Sequence, residues 1–190
     1  MRALRAKTAM GVATGFLLAM AGCGESAKDS QSALYRFAGA DQCDLLRAAD
    51  PAALLGVEID PEPLRVYGVC RLHGKQGPPA EWPTTDLEMR KDPENGAPKN
   101  FDEFWEREGA GVERRGASRE QVEELRGIGD YALWYPFPSG QGLQLHAFWG
   151  GKNILLITVV GAPVERAFPW AKQLAGNAIA KASAPSSAAR

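Results

Sequence analysis

The sequence predicts an α+β domain: an antiparallel sheet of about five strands with helices packed on one face. Three observations carry that prediction. Residues 84–91 and 143–149 alternate apolar and polar side chains, the pattern of half-buried strands. Gly150-Gly151 separates the second of these from an apolar run, so two strands are joined by a two-residue hairpin rather than by a crossover helix. Val164, Ala167, Phe168, Ala171, Leu174, Ala175, Ala178 and Ile179 recur at helical spacing and form a stripe that needs a sheet to lie across.

The chain opens on Arg2, Arg5 and Lys7 without an acid, then runs uncharged from Thr8 to Ala21. As a helix that run rises about 21 Å, short of a hydrocarbon core of about 30 Å. A cleaved leader therefore fits better than a permanent span. It ends in Leu17-Leu18-Ala19-Met20-Ala21-Gly22-Cys23. This stretch resembles the lipobox of bacterial lipoproteins, with Met20 where the family usually carries Leu. The resemblance implies cleavage after residue 22 and a diacylglyceryl thioether on Cys23. Two or more acyl chains hold a protein stably on a bilayer. The implied location is the cell envelope, on the outer face of the inner membrane or at the outer membrane, with the domain outside the cytoplasm. The alternative is an ordinary secretory signal cut near Ala21.

Of the 22 basic and 23 acidic residues in the chain, three basic ones lie in the leader. The remaining 168 residues thus carry 19 basic against 23 acidic side chains, a net charge of −4. That balance argues against nucleic acid and anionic headgroups as partners, since both require a basic patch. There are three cysteines. With Cys23 lipidated, Cys43 and Cys70 are an even pair in an oxidising compartment and are expected to be joined. The bridge would close a loop of about 27 residues and contribute about 3–4 kcal/mol. Two buried thiols are the alternative. His73 and His146 do not complete a compact ligand spacing with them, so neither a metal nor another cofactor is expected.

Residues 23–40, rich in Ser, Ala, Gly, Lys and Asp, read as a flexible tether, with Tyr35 and Phe37 near enough to its end to touch the domain. A single α+β domain is expected over 41–181 and a disordered tail over 182–190. Leu45, Leu46, Ala49, Ala53 and Leu54 recur at helical spacing, but Pro51 divides them. The reading is a short turn at Cys43–Ala48, then a helix with Asp50 as N-cap, Pro51 in its first turn and Gly56 as its stop. From here the chain resembles a broad group of secreted bacterial lipoprotein domains of unknown function. They share a Cys-x-Leu-Leu start, a helix ending in Leu-Gly, a second Cys in the next strand and a later Gly-x-Gly-Asp turn. The resemblance implies this fold and a disulfide, and no chemistry. Extracellular sensor domains of bacterial receptor kinases look similar, which would imply ligand sensing.

Leu64 to Leu72 reads as one strand with Leu64, Val66, Gly68, Cys70 and Leu72 on one face. Residues 84–91 should pair with it, Leu87 and Met89 inward. Asn100 caps a helix from Phe101 to about Glu108, stopped by Gly109-Ala110-Gly111. Ser118-Arg119-Glu120-Gln121 fits a capping box, and Val122 and Leu125 fit a strand start. Gly127-Ile128-Gly129-Asp130 is a tight turn. It lacks the strand-before, helix-after context of a phosphate loop. Residues 131–135 and 143–149 are strands, with His146 a surface or rim residue. Lys152 to Val160 is the most apolar strand and should be central. Pro163 to Lys181 is the last helix, kinked at Pro169 or restarted there.

No catalytic signature emerges. Ser139 lies outside a Gly-x-Ser-x-Gly elbow, and the adjacent acids Asp102–Glu103 and Glu123–Glu124 are expected to be solvated. The expected role is a non-catalytic binding, sensor or accessory domain, meeting a small molecule or an envelope protein. Trp82, Trp134, Tyr135 and Trp149 are the candidate binding surface, against the alternative that they are core. A docking or inhibitory partner of an envelope enzyme is the second reading, and an envelope hydrolase the third.

Overall fold

The computed structural model describes residues 36–78, 81–92 and 94–184. Cys23, the leader and most of the predicted tether and tail lie outside them. Strands β1 (Arg36–Phe37) and β2 (Ala40–Asp41) lead into helices α1 (Gln42–Ala48) and α2 (Pro51–Leu55). Then follow β3 (Leu64–Val66), β4 (Val69–His73), β5 (Thr84–Lys91) and helix α3 (Phe101–Arg114). A short 3-10 turn (Arg119–Gln121) precedes β6 (Glu123–Leu125), β7 (Tyr131–Pro136), β8 (Gly142–Trp149), β9 (Asn153–Val160) and helix α4 (Val164–Ser183).

The sheet has seven strands in the order β3-β4-β5-β9-β8-β7-β6, more than the five expected. Every pairing in it is antiparallel. The most apolar run, β9, sits at the centre as its composition predicts. The additional strands have local causes. The stretch read as one strand over 64–72 is a hairpin: Val66 pairs with Val69, and Tyr67 and Gly68 both adopt left-handed backbone at φ 50° and 82°. That turn puts Leu64 and Val66 on the face opposite Cys70 and Leu72. At 118–125 both sequence signals are realised: Ser118 caps the 3-10 turn, and β6 follows at once. Trp149 pairs with Asn153, so the Gly150-Gly151 hairpin spans three residues, not two.

Helices cover both faces of the sheet, not one. On the first face α1, α2 and α4 bury Leu46, Leu54, Ala171 and Leu174 against Leu87, Leu145, Leu155 and Ile157. The Cys43–Cys70 disulfide ties α1 to β4 there, with Cα atoms 5.3 Å apart. Gln42, the first residue of α1, is buried and closes both backbone groups of Met89 through its amide, at 3.1 and 3.3 Å. It takes the place of a strand beyond the end of β4, so the Met89 amide and carbonyl are both paired. Asp41 caps α1 by accepting from Cys43 N at 2.8 Å, and pairs with Arg65 at 3.3 Å. Phe37 packs edge-on against Trp149, so β1 and β2 occupy the end of the stretch read as tether.

On the second face α3 buries Phe104 and Val112 with Leu133, Tyr135, Phe148 and Ile154. This helix runs through Gly109 to Arg114 instead of stopping near Glu108. Gly109 lies under the Trp105 ring, where a Cβ would come within 2.8 Å, and Val112 beyond it is buried. Here glycine serves close packing, and burial of the next turn outweighs a propensity cost of about 1 kcal/mol. Helix α4 runs unbroken across Pro169, with the predicted stripe against the sheet.

Candidate functional site

Three of the four aromatic residues read as a binding surface are interior. Trp134 and Trp149 point to the first face and are buried in its core, the Trp134 ring tilted against Phe168 at 4.4 Å. Tyr135 points to the opposite face and is fully buried. Trp82 is half-buried; its Nε1 donates to Gly77 O at 2.9 Å and its ring meets His73. The four do not converge on one surface, because strand alternation sends Trp134 and Tyr135 to opposite sides of the sheet. His146, read as a rim residue, is buried between Phe104 and Tyr135 at ring distances of 5.3 and 6.0 Å.

The open part of the molecule is elsewhere. Helix α3 builds the core of the second face over β7 and the near ends of β8 and β9, and no residue of β3, β4 or β5 belongs to it. A trough of about 410 Å³ lies between the β3–β4 hairpin and Arg115, the residue that ends α3. Two adjacent cross-strand rows set by the register form its floor and run on beneath α3. The first row is Leu64, Arg71, Asp86, Thr158, Gln144 and Tyr135, each directly opposite the next. The second is Val66, Val69, Glu88, Leu156 and His146. One row is thus polar at its centre, and its neighbour is mostly apolar. Among the described residues the exposed large hydrophobic side chains are Leu64, Val66, Tyr67 and Val160, at 45, 38, 96 and 41 % exposure. Three of them line the trough, and Val160 lies on the same face of β9.

The polar row is knit together from both ends. Arg71 donates from Nε and Nη2 to the two oxygens of Asp86 at 2.7 and 2.6 Å, a bidentate pair that raises the Arg71 pKa. Tyr135 donates its hydroxyl to Gln144 Oε1, and Gln144 Nε2 donates to Thr158 Oγ1 at 2.9 Å. His146 Nε2 lies 3.2 Å from the same Gln144 Oε1. An oxygen that faces both groups can only accept, so His146 carries its proton on Nε2. Burial pushes the His146 pKa down to about 3, with the charges of Arg115 and Arg90 adding to it. Burial likewise raises the Tyr135 hydroxyl. Glu88 is raised by burial, opposed by Arg90 at 2.9 Å. This row offers fixed hydrogen-bond donors beside apolar contact area, which is the composition of a recognition site.

Three of the four adjacent acids have structural partners. Asp102 pairs with Arg119, Glu103 accepts from the Lys99 amide at 2.9 Å, and Glu124 accepts from the Tyr131 hydroxyl at 2.8 Å. Among the described residues no group of three His, Cys, Asp or Glu side chains is placed to hold a metal ion, and no helix is long and apolar enough to cross a membrane. Sequence reasoning missed Leu64, Val66, Tyr67 and Leu156. The available signal was the Tyr67-Gly68 dipeptide, which a strict alternation pattern absorbs into a strand. No known protein family, curated protein or solved structure matches the chain.

Proposed function

We propose that this is a non-catalytic binding domain of the cell envelope, held on a membrane by lipid at Cys23, whose ligand occupies the trough between the β3–β4 hairpin and the end of α3. One observation carries the reading. The exposed large hydrophobic side chains of the described residues gather on the second face of the sheet, on ground beyond the core that α3 builds there. Apolar side chains at such a place are stabilised when a partner removes them from water, by about 25 cal/mol for each Å² covered. The trough volume falls within the range of about 300–1,000 Å³ common to small-molecule sites. Mass spectrometry of the protein purified from its envelope under native conditions tests this. A small ligand should be retained, and lost from a Leu156→Glu variant that remains folded. A stoichiometric protein partner would instead favour the docking reading. The anchor is tested separately: Cys23→Ser should release the protein from membranes, and unchanged partitioning would count against lipidation.

A further inference from the structure

We infer that the trough binds an amphipathic anion, with its aliphatic tail along the row of Val66, Val69 and Leu156 and its carboxylate or phosphate between Arg115 and Thr158. This rests on the reading of the trough as a binding site and adds the class of ligand.

Charge and unused donors in the trough select the ligand. Four charged side chains line the trough: Arg71, Asp86, Glu88 and Arg115. Asp86 is neutralised in bidentate fashion by Arg71, and Glu88 is paired with Arg90. Among the described residues no carboxylate comes within ion-pair distance of Arg115. Its guanidinium meets only neutral acceptors, the Tyr135 hydroxyl beside it and, through a long hydrogen bond of 3.4 Å, Gly111 O. The charge uncompensated within the trough is therefore positive. The hydrogen bonds point the same way. Thr158 Oγ1 accepts from Gln144, and Gln144 Oε1 accepts from Tyr135, so the relay ends on a Thr158 hydroxyl left to donate. Arg115 offers only donors, and the Thr158 hydroxyl adds an unused one, which favours an acceptor-rich head group. The neighbouring row is apolar at Val66, Val69 and Leu156, and Tyr67 stands over its outer end at 96 % exposure. A tail laid across these positions covers the surface that water now meets. A free inorganic anion would leave that row exposed, and a purely apolar molecule would leave the Arg115 charge uncompensated and the Thr158 hydroxyl without an acceptor.

The test uses the full chain, titrated with decanoate, decanol and inorganic phosphate, and followed by calorimetry and by amide chemical shifts. Decanoate should bind and move the signals of Val69, Glu88 and Leu156. Decanol should bind about tenfold more weakly, the usual scale for losing a charge-assisted hydrogen bond. Arg115→Gln should bring decanoate down to the level of decanol, and Thr158→Val should weaken decanoate with the melting temperature retained. If decanoate and decanol move the trough signals with equal affinity, the anionic class is wrong while the trough remains a binding site. If phosphate alone binds, the head-group site stands without the tail and the inference is overturned. If neither amphiphile moves a trough signal, the inference is also overturned, and the retained-ligand experiment then decides the broader reading on its own.

Discussion

Acidification should unfold this domain through His146, and the size of the effect follows from its surroundings. The imidazole is enclosed by Phe104, Tyr135 and Gln144, with Arg115 and Arg90 the charges that act on it. Its pKa is lowered from 6.5 to about 3. Between those values the unfolded chain takes up a proton that the folded chain refuses. Stability then rises with pH across the window, and is lost as pH falls below about 6.5. Each unit corresponds to about 1.4 kcal/mol, so the penalty reaches about 2 kcal/mol at pH 5 and about 3–4 kcal/mol at pH 4. That is a large share of the about 5–15 kcal/mol typical of a domain. The comparison variant is His146→Gln, which keeps a donor toward Gln144 and cannot titrate. It loses the ring contacts and should be weaker at pH 7 by about 1–2 kcal/mol. Urea midpoints of both proteins are measured from pH 7.5 to pH 4. The carboxylates titrate equally in both, so the difference isolates His146. The two curves should converge as pH falls, and the variant should become the more stable near pH 5. Curves that stay parallel across the range would refute the assignment of a buried neutral imidazole.

Three further outcomes test the fold and the trough. Replacing Cys43 and Cys70 by alanine should cost about 3–4 kcal/mol for a loop of this length, read as a lower denaturant midpoint that reductant no longer changes. Tyr67→Asn should stabilise the β3–β4 hairpin by about 0.5–1 kcal/mol in thermal unfolding, because Asn tolerates the left-handed backbone that Tyr67 holds at φ 50°. A destabilised variant would mean that the exposed ring contributes to folding rather than to recognition. Gly129→Ala should cost about 1–3 kcal/mol by urea denaturation, since φ is +59° and the new Cβ would lie 2.3 Å from Phe148 O. An unchanged midpoint would show that the turn before β7 is not anchored to β8 in this way.

Where a signal is local, the chain states it openly. Asp50, Pro51 and Gly56 cap α2 as their side chains require, with Asp50 accepting from Ala53 N and Gly56 left-handed at φ 72°. Strands β5 and β8 follow from alternation, and the stripe of α4 from its period. The Cys43–Cys70 bridge followed from counting thiols once Cys23 was set aside. The stop expected at Gly109 failed because packing of Val112 and Trp105 overrides a local propensity. The strand expected over 64–72 failed because tyrosine is a rare occupant of a left-handed turn and hides the hairpin.

The sequence by itself determined which residues form strands and helices in most of the chain, which strand is central, and which cysteines meet. Those properties depend on periodicity, capping and composition, all written within a few residues. Only the tertiary structure decided that Trp134 and Trp149 are interior, that α3 crosses to the second face, and that the uncovered ground lies over β3, β4 and β5. Whether a side chain meets water depends on what is laid over it. The rows from Leu64 to Tyr135 and from Val66 to His146 are assembled from strands far apart in the chain, by a register that no single stretch records.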